Sequence, residues 1–339
     1  MKIPFFGLRK SETPPRTSNA DTAYLVGPGC LRLKGQVPFW RPVNGRAIYL
    51  QPNCLKRIVV LGLADISGAA FELIWKKQIE VIFLSHQETR IIAQVSPLAS
   101  CMPLTRLQYQ AVNHPGTCLH LARKILARKI DSTAEAARYF QQQGRDSKGL
   151  LAKLMQEIGR AQQQLQCASQ IGSLLGIEGS VAARWWELFA GLLPQNVPFK
   201  GRRSHPSPDP VNAALSLGYT LLLSRAKVML TMGNLDPQLG FLHSFRPGRP
   251  SLACDLIEPF RIPVVDRLVL QMFAQNQLSL TDFQSGEKNV CEMTRPALEK
   301  FLNGFEKRFR ESGNPGFNDQ MHGIVLEWDD YLRREMNHA

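Results

Sequence analysis

The rhythm of hydrophobic and polar positions changes about a third of the way along the chain. Over residues 24–97, short runs rich in β-branched and aromatic residues (YLV, CLRLKG, AIYL, RIVVLGL, EVIFLS and RIIAQV) alternate with Gly, Pro and Asn, which predicts a small sheet domain. Inside it, residues 65–78 carry Ile66, Ala69, Ala70, Leu73 and Ile74 at helical spacing, and the VIFL run that follows reads as a buried strand. Beyond Pro103 the β-branched density falls, and amphipathic stretches at 117–130, 133–143 and 150–175 predict a helical domain. Its clearest helix has Asp209 as N-cap, Pro210 at the first helical position, an apolar body over 211–232 and Gly233 as the stop. The Pro- and Gly-rich stretch PFKGRRSHPSP before it predicts an exposed loop. Residues 1–20, with Pro14, Pro15 and little periodicity, predict a loosely ordered arm. The expected fold is therefore α+β: a small N-terminal β-sheet domain over 21–100, then a larger all-α domain over 101–339.

Composition supports a folded chain. It has 339 residues, 44% of them hydrophobic and 20% charged, enough for a sizeable core without disulfides or metals and far from the signature of disorder. Charge adds direction: the net value of +13 is uneven, with 31 Lys/Arg against 14 Asp/Glu in residues 1–250 and 10 against 14 beyond. A basic surface confined to the earlier part points to a polyanion such as nucleic acid. The seven cysteines are never closer than 17 residues, so no CxxC pair exists, and they read as free thiols of a reducing compartment. No apolar run approaches the roughly 18 residues of a membrane span, and the expectation is a soluble, cytoplasmic protein without a membrane partner.

Several titratable residues stand in apolar surroundings. Glu178 lies among Leu174, Leu175 and Ile177, where an uncompensated carboxylate is expensive, unless it sits in the first turn of a helix and is stabilised by the dipole. His243, in LGFLHSF, is either a core histidine or a ligand, and Arg246 and Arg249 follow it in a Pro/Gly turn. Asp255 and Glu258 fall at i and i+3 on a helix that Ser251 can cap and Pro259 kinks; they are either solvated with Arg261 as partner or part of a site. One imidazole and two or three carboxylates could bind a divalent cation, which in a basic chain suits phosphodiester chemistry. For nucleic acid, Arg123, Lys124, Arg128 and Lys129 share a broad helix face, and Lys200, Arg202 and Arg203 form a loop cluster. The tandem Trp185 and Trp186 read as core rather than as base-stacking platforms.

The segments LLGIEGSVAARWW, RRSHPSPDPVNAALSLGYTLLLS, LDPQLGFLHS and RPSLACDLIEPFRIPVVDRLVL, in that order, resemble the CRISPR-associated adaptation endonuclease/integrase family. The resemblance runs from about Tyr24 to about Phe309 and is closest in those four segments. It implies an N-terminal β-domain that mediates dimerisation and an all-α, metal-dependent catalytic domain. It places Glu178, His243 and Glu258 as ligands of Mg2+ or Mn2+, with Asp255 as an auxiliary catalytic acid. The implied reaction joins 3′-hydroxyl ends of captured DNA to the repeat boundary of the CRISPR array. The implied partners are double-stranded DNA (captured fragment and CRISPR repeat), a second copy of the chain, and a small second CRISPR-associated adaptation protein. A transposon-type integrase and a non-catalytic DNA-binding scaffold are the competing readings; the roughly 30 residues after Phe309 leave little room for the helix-turn-helix module that transposon relatives append.

Overall fold

A computed structural model describes residues 5–6, 21–85, 91–95, 102–145, 149–203, 207–286, 290–310, 313 and 315–336. The chain divides into two compact units, Met1–Leu98 and Ala99–Ala339. Among the described residues the first is built on nine strands, β1 (Phe5–Phe6), β2 (Thr22–Val26), β3 (Gly29–Lys34), β4 (Val37–Pro42), β5 (Ile48–Tyr49), β6 (Arg57–Leu61), β7 (Ala64–Ile66), β8 (Glu80–Leu84) and β9 (Ile91–Val95), with one helix, α1 (Gly68–Lys76). One sheet runs β1-β2-β6-β8-β9, parallel except for β8 against β9; the other runs β5-β4-β3-β7. Leu25, Ile58, Val60 and Val81 of the first sheet meet Leu31 and Trp40 of the second and Ile74 of α1 in one core.

Each predicted strand run is found, and so, among the described residues of this unit, are three strands the pattern does not show, β1, β4 and β7. In β4, Pro38 and Pro42 break the β signature of VPFWRP, yet burial alternates, with Pro38, Trp40 and Pro42 turned inward. Ala64–Ile66 forms β7 rather than the first turn of a helix, because Ser67 caps α1, accepting from the Ala70 N–H. Of the residues read as an arm, Phe5 and Phe6 pair in parallel with Tyr24 and Leu25; the rest lie outside the described residues.

The second unit carries α2 (Met102–Val112), α3 (Pro115–Gln142), α4 (Leu150–Cys167), α5 (Ile171–Leu192), α6 (Pro210–Met232), α7 (Ser251–Ile257), α8 (Arg267–Ala274), α9 (Arg295–Arg310) and α10 (Phe317–Met336). It also holds an antiparallel hairpin, β10 (Phe283–Ser285) with β11 (Cys291–Met293), so this unit is helical but not purely so. The stretches at 117–130 and 133–143 are one helix, α3, since Asp131 and Ser132 fall on its polar side; 150–175 is two, parted after Cys167. α6 has the expected Asp209 cap, Pro210 and terminal Gly233. By length and hydropathy it could cross a membrane, but it is mostly buried as the central helix of this unit. Six of the seven cysteines lie among the described residues, and all six are free thiols.

Between α7 and α8 the helical path continues through a 3-10 turn, Glu258–Phe260, and a π-turn, Arg261–Asp266. Pro259 has no N–H to offer the Asp255 carbonyl, and the change of pitch after Ile257 follows from that loss. Ser251 stands at the first helical position instead of capping; its hydroxyl donates to the Ser244 carbonyl at 3.0 Å.

Candidate active site

Glu178, in the third turn of α5 and so clear of its N-terminal dipole, and Glu258, at the start of the 3-10 turn, converge on the ammonium of Lys129 from α3. Lys129 lies on the buried stripe of α3, next to Ile125, Leu126 and Thr133, so it enters the interior where its neighbours Lys124 and Arg128 do not. Its Nζ donates to Glu178 Oε1 and, at 2.6 Å, to Glu258 Oε2. Arg261 takes the other Glu258 oxygen at 3.0 Å. The Glu258 side chain is 4% exposed. Burial alone would push its carboxyl up, but the Arg261 and Lys129 charges reverse this and hold it at about 2. The same acids outweigh burial at Lys129 and raise its pKa, so the ammonium stays charged. One cation position between two carboxylates is thus built into the fold, with the lysine in it.

His243 stands in the loop from α6 to α7, held by the fully buried Asp255. Asp255 Oδ2 accepts the backbone N–H groups of Phe241 at 2.7 Å and Leu242 at 2.9 Å; Oδ1 accepts that of His243 at 3.1 Å and lies 2.6 Å from His243 Nδ1. Burial pushes the Asp255 carboxyl up, and these donors draw it part of the way back. With Nδ1 bonded to a carboxylate, the assigned tautomer carries its proton there and leaves Nε2 as a lone pair. Asp255 precedes Glu258 by three residues, so the imidazole it holds is anchored one helical turn from the acid pair. The loop also needs Gly240, because a Cβ there would lie 2.6 Å from the His243 carbonyl oxygen and 2.8 Å from Ser251 Cβ. Asp255, expected as an auxiliary acid, spends both oxygens behind the imidazole; it positions His243 rather than facing the cation position.

Beneath this lies a second buried cluster that sequence reasoning missed. Asp266 accepts from Trp185 Nε1 at 2.8 Å and from the Tyr219 hydroxyl, while the Arg202 and Arg261 guanidiniums lie 5.2 and 5.3 Å from the Tyr219 ring. Burial drives the Asp266 carboxyl up to about 6 despite those donors. Asp266 follows Glu258 by two helical turns in an apolar run, and that was the available signal.

The remaining basic residues fall into two groups. Lys124, at 3.0 Å, and Arg128 both pair with Glu327 of α10, and Arg123 donates to the Ala168 carbonyl at 2.7 Å. Arg202 is tied to Asn212 Oδ1 and Ser216 Oγ at 3.0 and 3.2 Å, and Arg249 to Ser244 and Ser251. Lys200, Arg203 and Arg246 are exposed. Trp185 is buried, and Trp186 packs on Phe189 and Phe199.

The family model for CRISPR associated protein Cas1 matches residues 23–307. The chain is 31% identical over 269 residues to CRISPR-associated endonuclease Cas1 3 of Thermus thermophilus, a match covering 79% of this chain and 78% of that protein. Its fold is similar to that of a CAS1 protein from Thermotoga maritima, at TM-score 0.79 and 22% identity, covering 92% of this chain and 96% of that one. It is equally similar to a casposase bound to integration product, at TM-score 0.79 and 20% identity, covering 92% and 90%.

Proposed function

The chain belongs to the CRISPR-associated Cas1 family, and on that premise we propose that it is a divalent-metal-dependent DNA endonuclease and integrase of CRISPR adaptation. The observation that carries this reading is the convergence of Glu178 and Glu258 on one cation position, with His243 fixed beside them.

Among the described residues no three His, Cys, Asp or Glu side chains close into a metal cage as they stand. The donor chemistry nevertheless suits a hard divalent ion: carboxylate oxygens and an oriented imidazole, with Lys129 marking the place of positive charge. Glu178, His243 and Glu258 would hold it. Imidazole is softer than oxygen ligands, which favours Mn2+ somewhat over Mg2+. An ion held there would supply Lewis-acid polarisation of the scissile phosphate and charge stabilisation of the attacking and leaving oxygens.

The protein's own groups do the rest. Asp255 keeps His243 Nε2 turned to the site, and Arg261 keeps Glu258 ionised when Lys129 yields its place. The exposed Lys200, Arg203 and Arg246 supply phosphate contacts for DNA. The 3′-hydroxyl of a captured fragment attacks phosphorus at the repeat boundary and gives up its proton. A new P–O bond forms, the old one breaks, and the departing 3′-oxygen is protonated, so no external energy source is needed. The first unit serves dimerisation, and a small second CRISPR-associated protein joins the assembly.

One observation favours a non-catalytic DNA-binding scaffold: Lys129 already occupies the place between the two acids and bonds both. Strand transfer on a branched DNA with a flap at a repeat junction, in Mn2+, separates the two. Activity in the wild type and none in Glu178→Ala, at equal DNA binding, supports the integrase; two inert proteins support the scaffold, and equal activity in both marks a contaminating nuclease and removes the catalytic assignment of Glu178.

A further inference from the structure

Where α3 ends, a cavity of about 220 Å3 is lined by residues of that helix, α8 and α9, and three guanidiniums meet on it: Arg145, Arg267 and Arg308. Several other arginines of this unit answer to carboxylates, as Arg225 does to Glu306, Arg261 to Glu258 and Arg184 to Glu187. Among the described residues no acidic side chain lines this cavity. Arg145 donates to the Leu192 carbonyl at 2.8 Å, and Arg308 to that of Pro263 at 2.5 Å. Arg267 lies 3.9 Å from the centre of the Tyr139 ring. Burial, and then the Arg267 charge, pull Arg308 down to about 10. Half-buried like charges that repel one another without a counter-charge are destabilising until an anion enters.

The composition identifies the anion. Guanidinium forks match phosphate oxygens two at a time, and the Arg267–Tyr139 stack offers a flat surface to a neighbouring base. Three positive charges on one space complement a dianionic phosphomonoester better than the single charge of a diester. The cavity is smaller than the roughly 300–1,000 Å3 that encloses a whole small molecule, which suits a phosphate and its sugar. We propose that this cavity binds the terminal phosphate of a nucleotide, carried by the end of a DNA strand or by a free mononucleotide. The inference rests on the reading of the chain as a DNA-processing protein, and it supplies that reading with an end-recognition site away from the acid pair: Lys129 and Tyr139 share α3 and stand about 15 Å apart along its axis.

The test is fluorescence anisotropy of the full chain with a 3′-labelled oligodeoxynucleotide bearing either a 5′-phosphate or a 5′-hydroxyl, with dTMP and hexaglutamate as competitors. The expected result is about tenfold tighter binding of the phosphorylated strand. Arg267→Gln should abolish that preference with its melting temperature unchanged, and Arg308→Lys should weaken it. Competition by dTMP without an end preference, lost in Arg267→Gln, supports the site with the free nucleotide as its source. Equal binding of both strands with no dTMP competition overturns the proposal. So does a preference that survives in Arg267→Gln, or stronger competition by hexaglutamate than by dTMP, which would mark a protein partner's acidic segment. Strand transfer reports independently: end preference without strand transfer keeps this site and removes the catalytic reading, and the converse does the opposite.

Discussion

Asp255 holds His243 at two points, its Oδ1 lying 2.6 Å from the ring Nδ1 and 3.1 Å from the same residue's backbone nitrogen. Ring tautomer and loop path are therefore set by one buried carboxylate. In Asp255→Asn the amide NH2 would face N–H donors, so the ring loses its orientation. Mn2+ affinity, measured by calorimetry, should fall about 10–100-fold. Folding stability should fall by about 1–3 kcal/mol for the donors left unsatisfied. Unchanged Mn2+ affinity would show that His243 is not a ligand.

On the proposed reading, Lys129 and a divalent cation would compete for the same oxygens. Replacing it, as in Lys129→Met, leaves two facing carboxylates with Arg261 as their remaining partner, and breaking a buried pair costs about 3–5 kcal/mol. The metal-free variant should melt well below wild type, and Mn2+ should raise its melting temperature more than it raises the wild type's. An equal Mn2+ response in both proteins would mean that the ammonium does not stand where the ion goes.

Gly240→Ala tests the loop. The added Cβ would sit 2.6 Å from the His243 carbonyl oxygen, so the backbone must move the imidazole or unpack Ser251. Strand transfer should drop by at least about tenfold, with the barrier raised by about 1.4 kcal/mol. DNA binding should stay at the wild-type level.

Asp266 gives a pH signature. Its folded value of about 6 lies above its ordinary 3.8, so the folded chain keeps this proton longer than the unfolded chain. Stability contributed by the protonated form is complete below about pH 4 and is lost as pH rises through about 6. Compared with Asp266→Asn, the wild type should lose up to about 3 kcal/mol across that window, read from denaturant melts at stepped pH. A difference that does not vary with pH would mean an ordinary carboxyl.

The two-part architecture was legible because period-2 and period-3.6 patterns occupy separate stretches of the chain. The irregular pieces were not. Pro38 and Pro42 hide β4, and β7 is only three residues long, so its pairing with β3 is decided by tertiary contact. In the site, Glu178, His243 and Glu258 stood out as polar residues in apolar runs. Lys129 was read with Lys124 and Arg128 as one basic face, although its i−4 and i−3 neighbours are the buried Ile125 and Leu126. Periodicity could have separated it; nothing local could show that Glu327, some two hundred positions away, neutralises the other two.

The most direct test of the central claim is anomalous diffraction from crystals of the wild-type protein soaked in Mn2+. The account predicts one manganese peak bounded by Glu178, His243 and Glu258, with the Lys129 ammonium displaced from between the two carboxylates. Lys129 still bridging Glu178 and Glu258, with manganese absent from that position in a protein that performs strand transfer under the same conditions, would contradict it.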